Sequence, residues 1–515
     1  MQDKLRKLCE MKSAALLGGG KEKIAKRHEQ GRLTARERVE RLLDPSSFIE
    51  QVMLAGLQPD IEKGMYGDGV VTGYGRIDGR RVCIFAQDAT FHGGSTGPVH
   101  RSKICSMIET ALETGVPLIG LNDSAGGRME PTESQSTAYS SFARYSIFYR
   151  HIEASGVVPQ ISAIMGPCAG NGVYAPALTD FIFVVKGISQ MFITGPRVLK
   201  EVTGEETTQE ELGGAKIHCE MSGVADVETS SEDECLGKIR ELLSLLPSNN
   251  RESPPVVNTG DDPNRVDEKL ENLAPTDSMR AYDMHNIILR LVDSGYFFEI
   301  KPKFARNVIV GFGRLNSRTV GIVANQPLFY AGTMTIDSSD KQARFIRFCD
   351  AFNIPLVFLI DTPGYLPGRE QERGGLIRHG AKALYALGEA TVPKVAVVIG
   401  KCYGGARPAM GADKDLGADR VYAWPTAESS IMGPEPTAKI IYRKAIASAK
   451  NPEEFEQQKI KELKARAGPY NWTASEWIDD VIEPRETRRQ LIGTLEALSS
   501  KRELRQAKKH GNIPL

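Results

Sequence analysis

No apolar run in the 515-residue chain approaches the roughly 20 residues that span a bilayer. The opening Met-Gln-Asp-Lys-Leu-Arg has no hydrophobic stretch of the secretory kind. A membrane-inserted or exported protein is not expected; the cytoplasm is. Net charge is missing too: Lys plus Arg and Asp plus Glu both total 65. No global field draws in nucleic acid, so no nucleic-acid partner is expected, and an anionic ligand has to be held by local groups. The eight cysteines stand singly, without the paired short spacings of a zinc site, in a chain large enough not to need disulfide staples. No metal is expected, and a reducing compartment is. Side-chain catalytic signatures are lacking as well. There is no G-x-S-x-G elbow, no P-loop and no H-E-x-x-H, which removes local support for serine hydrolase, NTPase and zincin chemistry.

What the chain does contain is a repeat of its own architecture. Val82-Cys83-Ile84-Phe85 precedes a helical segment, then Pro117 to Ser124 and a glycine turn. At an offset of about 238 residues, Val320-Gly321-Ile322-Val323 precedes a helical segment, then Pro355 to Thr362 and another glycine turn. Further along, Val158 to Met165 leads into Gly166-Pro167-Cys168-Ala169-Gly170, as Val392 to Ile399 leads into Gly400-Lys401-Cys402-Tyr403-Gly404. Short bounded apolar runs alternating with helical segments read as buried strands of parallel β/α units, so each half is predicted to be one α/β domain. A length beyond what one core usually serves agrees with two domains. The Pro/Asn/Asp-rich stretch over residues 250–265 reads as the linker, giving domains at 1–258 and 262–515. Thr34-Ala35-Arg36-Glu37 has the side chains of a capping box ahead of a short amphipathic helix. The charged run 451–466 reads as a solvated helix face.

A strand that ends in a glycine-rich turn and enters a helix leaves amide N–H groups without intrahelical partners, and glycine lets a ligand approach them closely. A preorganised pair of such amides suits the oxyanion of a thioester enolate. For any one turn the plainer explanation is tight chain reversal. Duplication shifts the balance: Ser124-Ala125-Gly126-Gly127 and Gly170-Asn171-Gly172 have counterparts in Asp361-Thr362-Pro363-Gly364 and Gly404-Gly405-Ala406.

With these turns located, the chain resembles the carboxyltransferase β subunits of propionyl-CoA and acetyl-CoA carboxylases and the related transcarboxylase and methylmalonyl-CoA decarboxylase subunits. The likeness runs nearly end to end. It includes Leu33-Thr34-Ala35-Arg36-Glu37-Arg38, Met191-Phe192-Ile193-Thr194-Gly195-Pro196, Asp361-Thr362-Pro363-Gly364-Tyr365 and His510-Gly511-Asn512-Ile513-Pro514-Leu515. The resemblance implies two tandem crotonase-like α/β domains, each a β-β-α superhelix, and a homohexamer built as a trimer of dimers. It implies an acyl-CoA, a coenzyme A thioester, on the N-domain side. On the C-domain side it implies biotin, brought as carboxybiotin by a biotin carboxylase or biotin carrier subunit. No Ala-Met-Lys-Met biotinylation motif occurs here, so the carrier is expected on another chain.

Carried over by position, the amides of Gly170 and Asn171 would hold the thioester oxygen, and those of Gly405 and Ala406 the biotin ureido oxygen. Ala125, Gly126, Gly127 and Gly172 would line the acyl-CoA site. Arg128 would meet a CoA phosphate unless it serves as a structural charge. Gly364, Gly404 and Arg407 would shape the biotin side. His379 matches a family motif, with a local hydrogen bond as its plainer role. The family pattern has glycine at Asn171, tyrosine at Arg407 and a different segment around Pro436, and the position of Pro408 tunes acyl preference. These departures keep open a biotin-independent acyl-CoA decarboxylase or hydrolase, with Glu130 as a candidate acid or base, or a weakly active scaffold subunit.

Overall fold

The computed structural model describes residues 1–128, 146–278, 280–473 and 477–515. The chain divides into two compact units, Met1–Glu252 and Ser253–Leu515. Glu130 lies outside the described residues.

In the first unit, strands β1 (Ile49–Gln51), β2 (Val70–Ile77), β3 (Arg80–Gln87), β4 (Leu118–Ser124), β5 (Gln160–Ala169), β6 (Phe181–Val185), β7 (Gln190–Phe192) and β8 (Val227–Thr229) form one sheet. Their order is β1-β2-β3-β4-β5-β6-β8, with β7 against β5. The first two pairings are antiparallel and all later ones parallel. Every residue of β4 is buried, as befits a parallel strand covered on both faces. The helix Pro98–Thr114 starts with proline in its first turn and stops at Gly115, whose φ is 62°. Its Ile104, Met107, Ile108 and Ala111 fall on one face and pack with Phe85 and Leu118. Full burial of each large aliphatic is worth about 1.5–3 kcal/mol. The capping box forms: Glu37 N–H donates to Thr34 Oγ1 at 3.3 Å, and Thr34 N–H to the Glu37 carboxylate at 2.7 Å.

The second unit repeats this sheet with β9 (Phe297–Ile300), β10 (Val308–Leu315), β11 (Arg318–Asn325), β12 (Leu356–Thr362), β13 (Lys394–Tyr403), β14 (Arg420–Ala423), β15 (Glu428–Ser430) and β16 (Asp480–Val481). The order is β9-β10-β11-β12-β13-β14-β16, with β15 against β13. The repeat extends to single hydrogen bonds. Thr96 N–H donates to Gly126 O at 2.8 Å, and Met334 N–H to Gly364 O at 2.9 Å. Gln87 Oε1 receives Asp123 N–H at 3.1 Å, and Asn325 Oδ1 receives Asp361 N–H at 3.2 Å. Lys103 donates to the carbonyls of Gly67 and Val70, while Lys341 donates to those of Phe304 and Val308. The register shift in β4 between Asn122 and Ser124 recurs in β12 between Ile360 and Thr362. The charged run forms the helix Pro452–Ala467, with only Ile460 and Ala467 buried. No helix among the described residues is long and apolar enough to cross a membrane.

Candidate active site

In the first unit, the irregularity at Asn122 to Ser124 leads the chain out of the sheet into Ala125-Gly126-Gly127. Gly126 has φ 100°, and a Cβ there would lie 2.8 Å from the Ala169 carbonyl oxygen. The loops after β4 and β5 therefore touch at a position only glycine fits. Gly126 N–H donates to Ser124 Oγ at 3.1 Å. At the end of β5, Gly170 takes φ 62° and opens the 3-10 turn Gly170–Val173. Asn171 is not among the positive-φ residues. The left-handed position falls on Gly170, so replacing glycine by asparagine at 171 asks no unusual backbone of it. Gly170 and Asn171 open the turn, where amides lack intrahelical acceptors.

A cavity of about 390 Å³ opens at this turn, with Gly127, Asn171 and Gly172 in its wall beside Arg101, Phe148 and Cys168. Burial pushes the Cys168 thiol up to about 12, which leaves it an inert neutral group. The described wall holds no carboxylate and no histidine. Ala125 is exposed outside this wall, its N–H bonded to Gly93 O at 3.0 Å. Arg128 folds back: Nη1 meets Asp68 Oδ1 at 2.5 Å, and Nε and Nη2 meet Ser95 Oγ and O at 3.2 and 2.9 Å. With 9% of its side chain exposed, it holds the turn in place, which is its structural alternative. His379 pairs with Asp340 at 2.8 Å, a local role again.

In the second unit, Gly364 has φ 130° and Gly404 φ 55°. Gly404 N–H donates to Ser430 O at 3.0 Å, and Arg407 N–H to Gly404 O at 3.2 Å. The amides left at the start of the helix Ala406–Ala409 are those of Gly405 and Ala406. Gly405 faces the Tyr365 ring, which a Cβ would meet at an ordinary 3.8 Å. The Tyr365 hydroxyl is buried without a hydrogen-bond partner of ordinary geometry, and burial raises its pKa. The Arg407 guanidinium reaches Asp413 at 3.2 Å and stacks 4.7 Å over the Trp477 ring. Pro408 and Pro436 occupy the first turns of the helices Ala406–Ala409 and Pro434–Ile441, where an N–H has no helical acceptor to lose. Sequence reasoning missed Arg101, Phe148 and Tyr365. The 238-residue offset was the available signal for Tyr365, whose bridge to Met334 repeats that of Gly127 to Thr96.

Residues 26–513 match the carboxyl transferase domain family. The chain belongs to that family. The carboxyltransferase subunit of propionyl-CoA carboxylase from Haloferax mediterranei is 50% identical to this carboxyl transferase, with 100% of both chains covered. Methylmalonyl-CoA decarboxylase subunit alpha of Veillonella parvula is also 50% identical, over 100% of this chain and 99% of its own. Among solved structures, the hexameric transcarboxylase 12S with methylmalonyl-coenzyme A and methylmalonic acid bound matches with a TM-score of 0.94 at 45% identity, covering 100% of this chain and 98% of that one. Both units have the crotonase-like fold, and the enzyme is an acyl-CoA carboxyltransferase of the class that works with carboxybiotin from a separate carrier.

Proposed function

We propose that this carboxyl transferase moves a carboxyl group between carboxybiotin on a separate carrier subunit and the α-carbon of a short acyl-CoA, with propionyl-CoA and methylmalonyl-CoA as the pair. One observation carries the reading: the described wall of the first cavity offers backbone amides at a helix start and no side-chain base. The amides of Gly170 and Asn171 hold the thioester oxygen as its charge grows, which is where preorganised donors act most strongly. Gly126, Gly127 and Gly172 keep side chains out of the approach to that carbonyl.

In the second unit the amides of Gly405 and Ala406 would donate to the ureido oxygen. The Tyr365 ring beside Gly405 offers a flat face for a small ring there. Biotin, when bound, supplies the carboxyl group and the base for the α-proton. The substrate pair is supported by the relatives named propionyl-CoA carboxylase and methylmalonyl-CoA decarboxylase. The same relatives support a biotin carboxylase or carrier partner, the 12S neighbour supports a hexamer, and seven buried free cysteines support a reducing, cytoplasmic setting. The biotin-independent alternative rested on residues 171, 407, 408 and 436; Asn171 keeps an ordinary right-handed backbone for its amide, and the other three supply no amide assigned to either turn.

Purified protein incubated with methylmalonyl-CoA, with and without free biotin, tests the reading by mass spectrometry. Biotin-stimulated loss of carbon dioxide is expected. Turnover indifferent to biotin would establish the biotin-independent lyase instead, and no turnover would point to an unusual acyl group or a scaffold subunit.

A further inference from the structure

On the strands that lead into the first turn lies a buried charge cluster that is not repeated around Asp361, the counterpart of Asp123, among the described residues. Asp123 Oδ2 receives Arg38 Nη1 at 2.9 Å, Arg32 Nη2 at 3.4 Å and Arg27 Nη2. Arg38 also reaches Glu232 at 2.5 Å. Arg32 and Arg38 both donate to the Met165 carbonyl, at 2.5 and 2.7 Å. Side-chain exposure is 0% for Arg38, 1% for Asp123, 5% for Glu232, 9% for Arg27 and 19% for Arg32. Three guanidiniums thus face two carboxylates in a nearly dry interior, leaving one positive charge unneutralised.

The cluster grips both strands that end in the first turn. Met165 opens the run into Gly170, and Asp123 sits where a Gly166 side chain would be, 2.0 Å from an ideal Cβ. Asp123 also precedes Ser124, which anchors the Gly126 amide. In the second unit the counterpart Asp361 packs on Gly400 in the same way. Its ion-pair partner among the described residues, however, is one ammonium, Lys401 Nζ at 3.6 Å, and the Lys401 N–H donates to it at 2.9 Å. The Ile399 carbonyl, counterpart of Met165, receives the Thr426 hydroxyl at 2.6 Å. Asp361 and Lys401 form a one-to-one pair there.

We propose that Arg27, Arg32 and Arg38 are positioning residues for the first turn. They fix β4 and β5 just ahead of the turn, and their surplus positive charge lies along the strands that lead to the amides assigned to the thioester oxygen. The inference rests on the reading of that turn as the thioester hole. In the acyl-CoA half full negative charge develops on the enolate oxygen, and charge acts further in a poorly screened interior. Burial lowers the pKa of Arg32, but a guanidinium stays protonated in proteins. Arg27 and Arg32 come from the segment before the helix Ala35–Leu42, and Arg38 lies on that helix.

Arg32→Gln removes the charge and keeps a donor for the Met165 carbonyl; Arg32→Lys restores the charge. Propionyl-CoA labelled with carbon-13 at its thioester carbonyl reports the hole directly, through the red shift of the carbonyl stretch on binding to the full-length protein. The expected result for Arg32→Gln is a smaller red shift, an unchanged Kd for propionyl-CoA and an unchanged KM for free biotin, with kcat lower by about 10-fold or more. Arg32→Lys recovers most of both kcat and the shift. A wild-type red shift and kcat in folded Arg32→Gln, or a loss that lysine does not rescue, overturns the inference alone. No red shift in the wild type overturns the thioester hole and the inference with it. Should Arg32→Gln fail to fold, Arg27→Gln carries the same test.

Discussion

At Asn171 the side chain and the amide can be separated by substitution. Its backbone is right-handed and its carboxamide is exposed, so Asn171→Ala is expected to leave kcat near wild type. Asn171→Pro deletes only the N–H that the proposed hole uses. Its ring suits a right-handed backbone, and Gly170 before it tolerates the restriction a proline imposes. The expected loss in kcat is about 100- to 1000-fold, the usual cost of one missing oxyanion donor, checked by steady-state turnover of methylmalonyl-CoA with free biotin. Equal activity of the two variants would sink the amide's role. The sequence exposed this turn because glycine spacing repeats. It concealed which glycine takes the left-handed φ, and that the Gly404 amide is already bonded to Ser430, since both depend on strands distant in the chain.

Helices and strands are joined by charged side chains that the sequence displayed without their partners. Lys103 and Lys341 stand at the repeat offset, yet their role as ammonium plugs for the carbonyls before β2 and β10 appears only in three dimensions. Lys341→Met strands several buried carbonyls and is expected to destabilise the protein by about 2–3 kcal/mol, read from the urea midpoint at constant m. His285 ties the helix His285–Leu291 to β9, with Nε2 on Glu299 at 2.9 Å and Nδ1 on Asp283 at 2.8 Å. The Glu299 hydrogen bond, then the charges of Glu299 and Asp283, raise its pKa above 6.5. A raised histidine binds more protons folded than unfolded, so its contribution is complete below about pH 6.5 and fades as pH climbs through the folded value. The melting temperature of His285→Gln should therefore fall furthest below wild type in mild acid, with the gap narrowing in mild base. A gap independent of pH would refute the pairing. The arginine cluster was illegible for a similar reason: Arg38 lies 194 residues from Glu232, and no local pattern links them.

On the scale of the whole molecule, two counterpart helices leave large aliphatic side chains in solvent. Pro196–Thr203 buries none of its residues and exposes Val198 and Val202 at 53% and 77%; Pro434–Ile441 exposes Ile440 and Ile441 at 62% and 65%. Clusters of this kind mark surfaces that a partner covers, and the proposed hexamer supplies copies of the same chain. Val202→Glu combined with Ile441→Glu is expected to lower the mass measured by light scattering while leaving far-ultraviolet circular dichroism unchanged. A hexamer that survives both charges would exclude these faces from its interfaces. The main-chain donors proposed at the two turns carry a consequence for heredity. A peptide N–H is spelled by almost any codon, so mutation can redraft the pocket around Asn171 or Arg407 and leave the reactive apparatus in place. Proline substitution or a shift in chain length at Gly170, Asn171, Gly405 or Ala406 is what would erase it, and such a lineage can wander among acyl groups while keeping one chemistry.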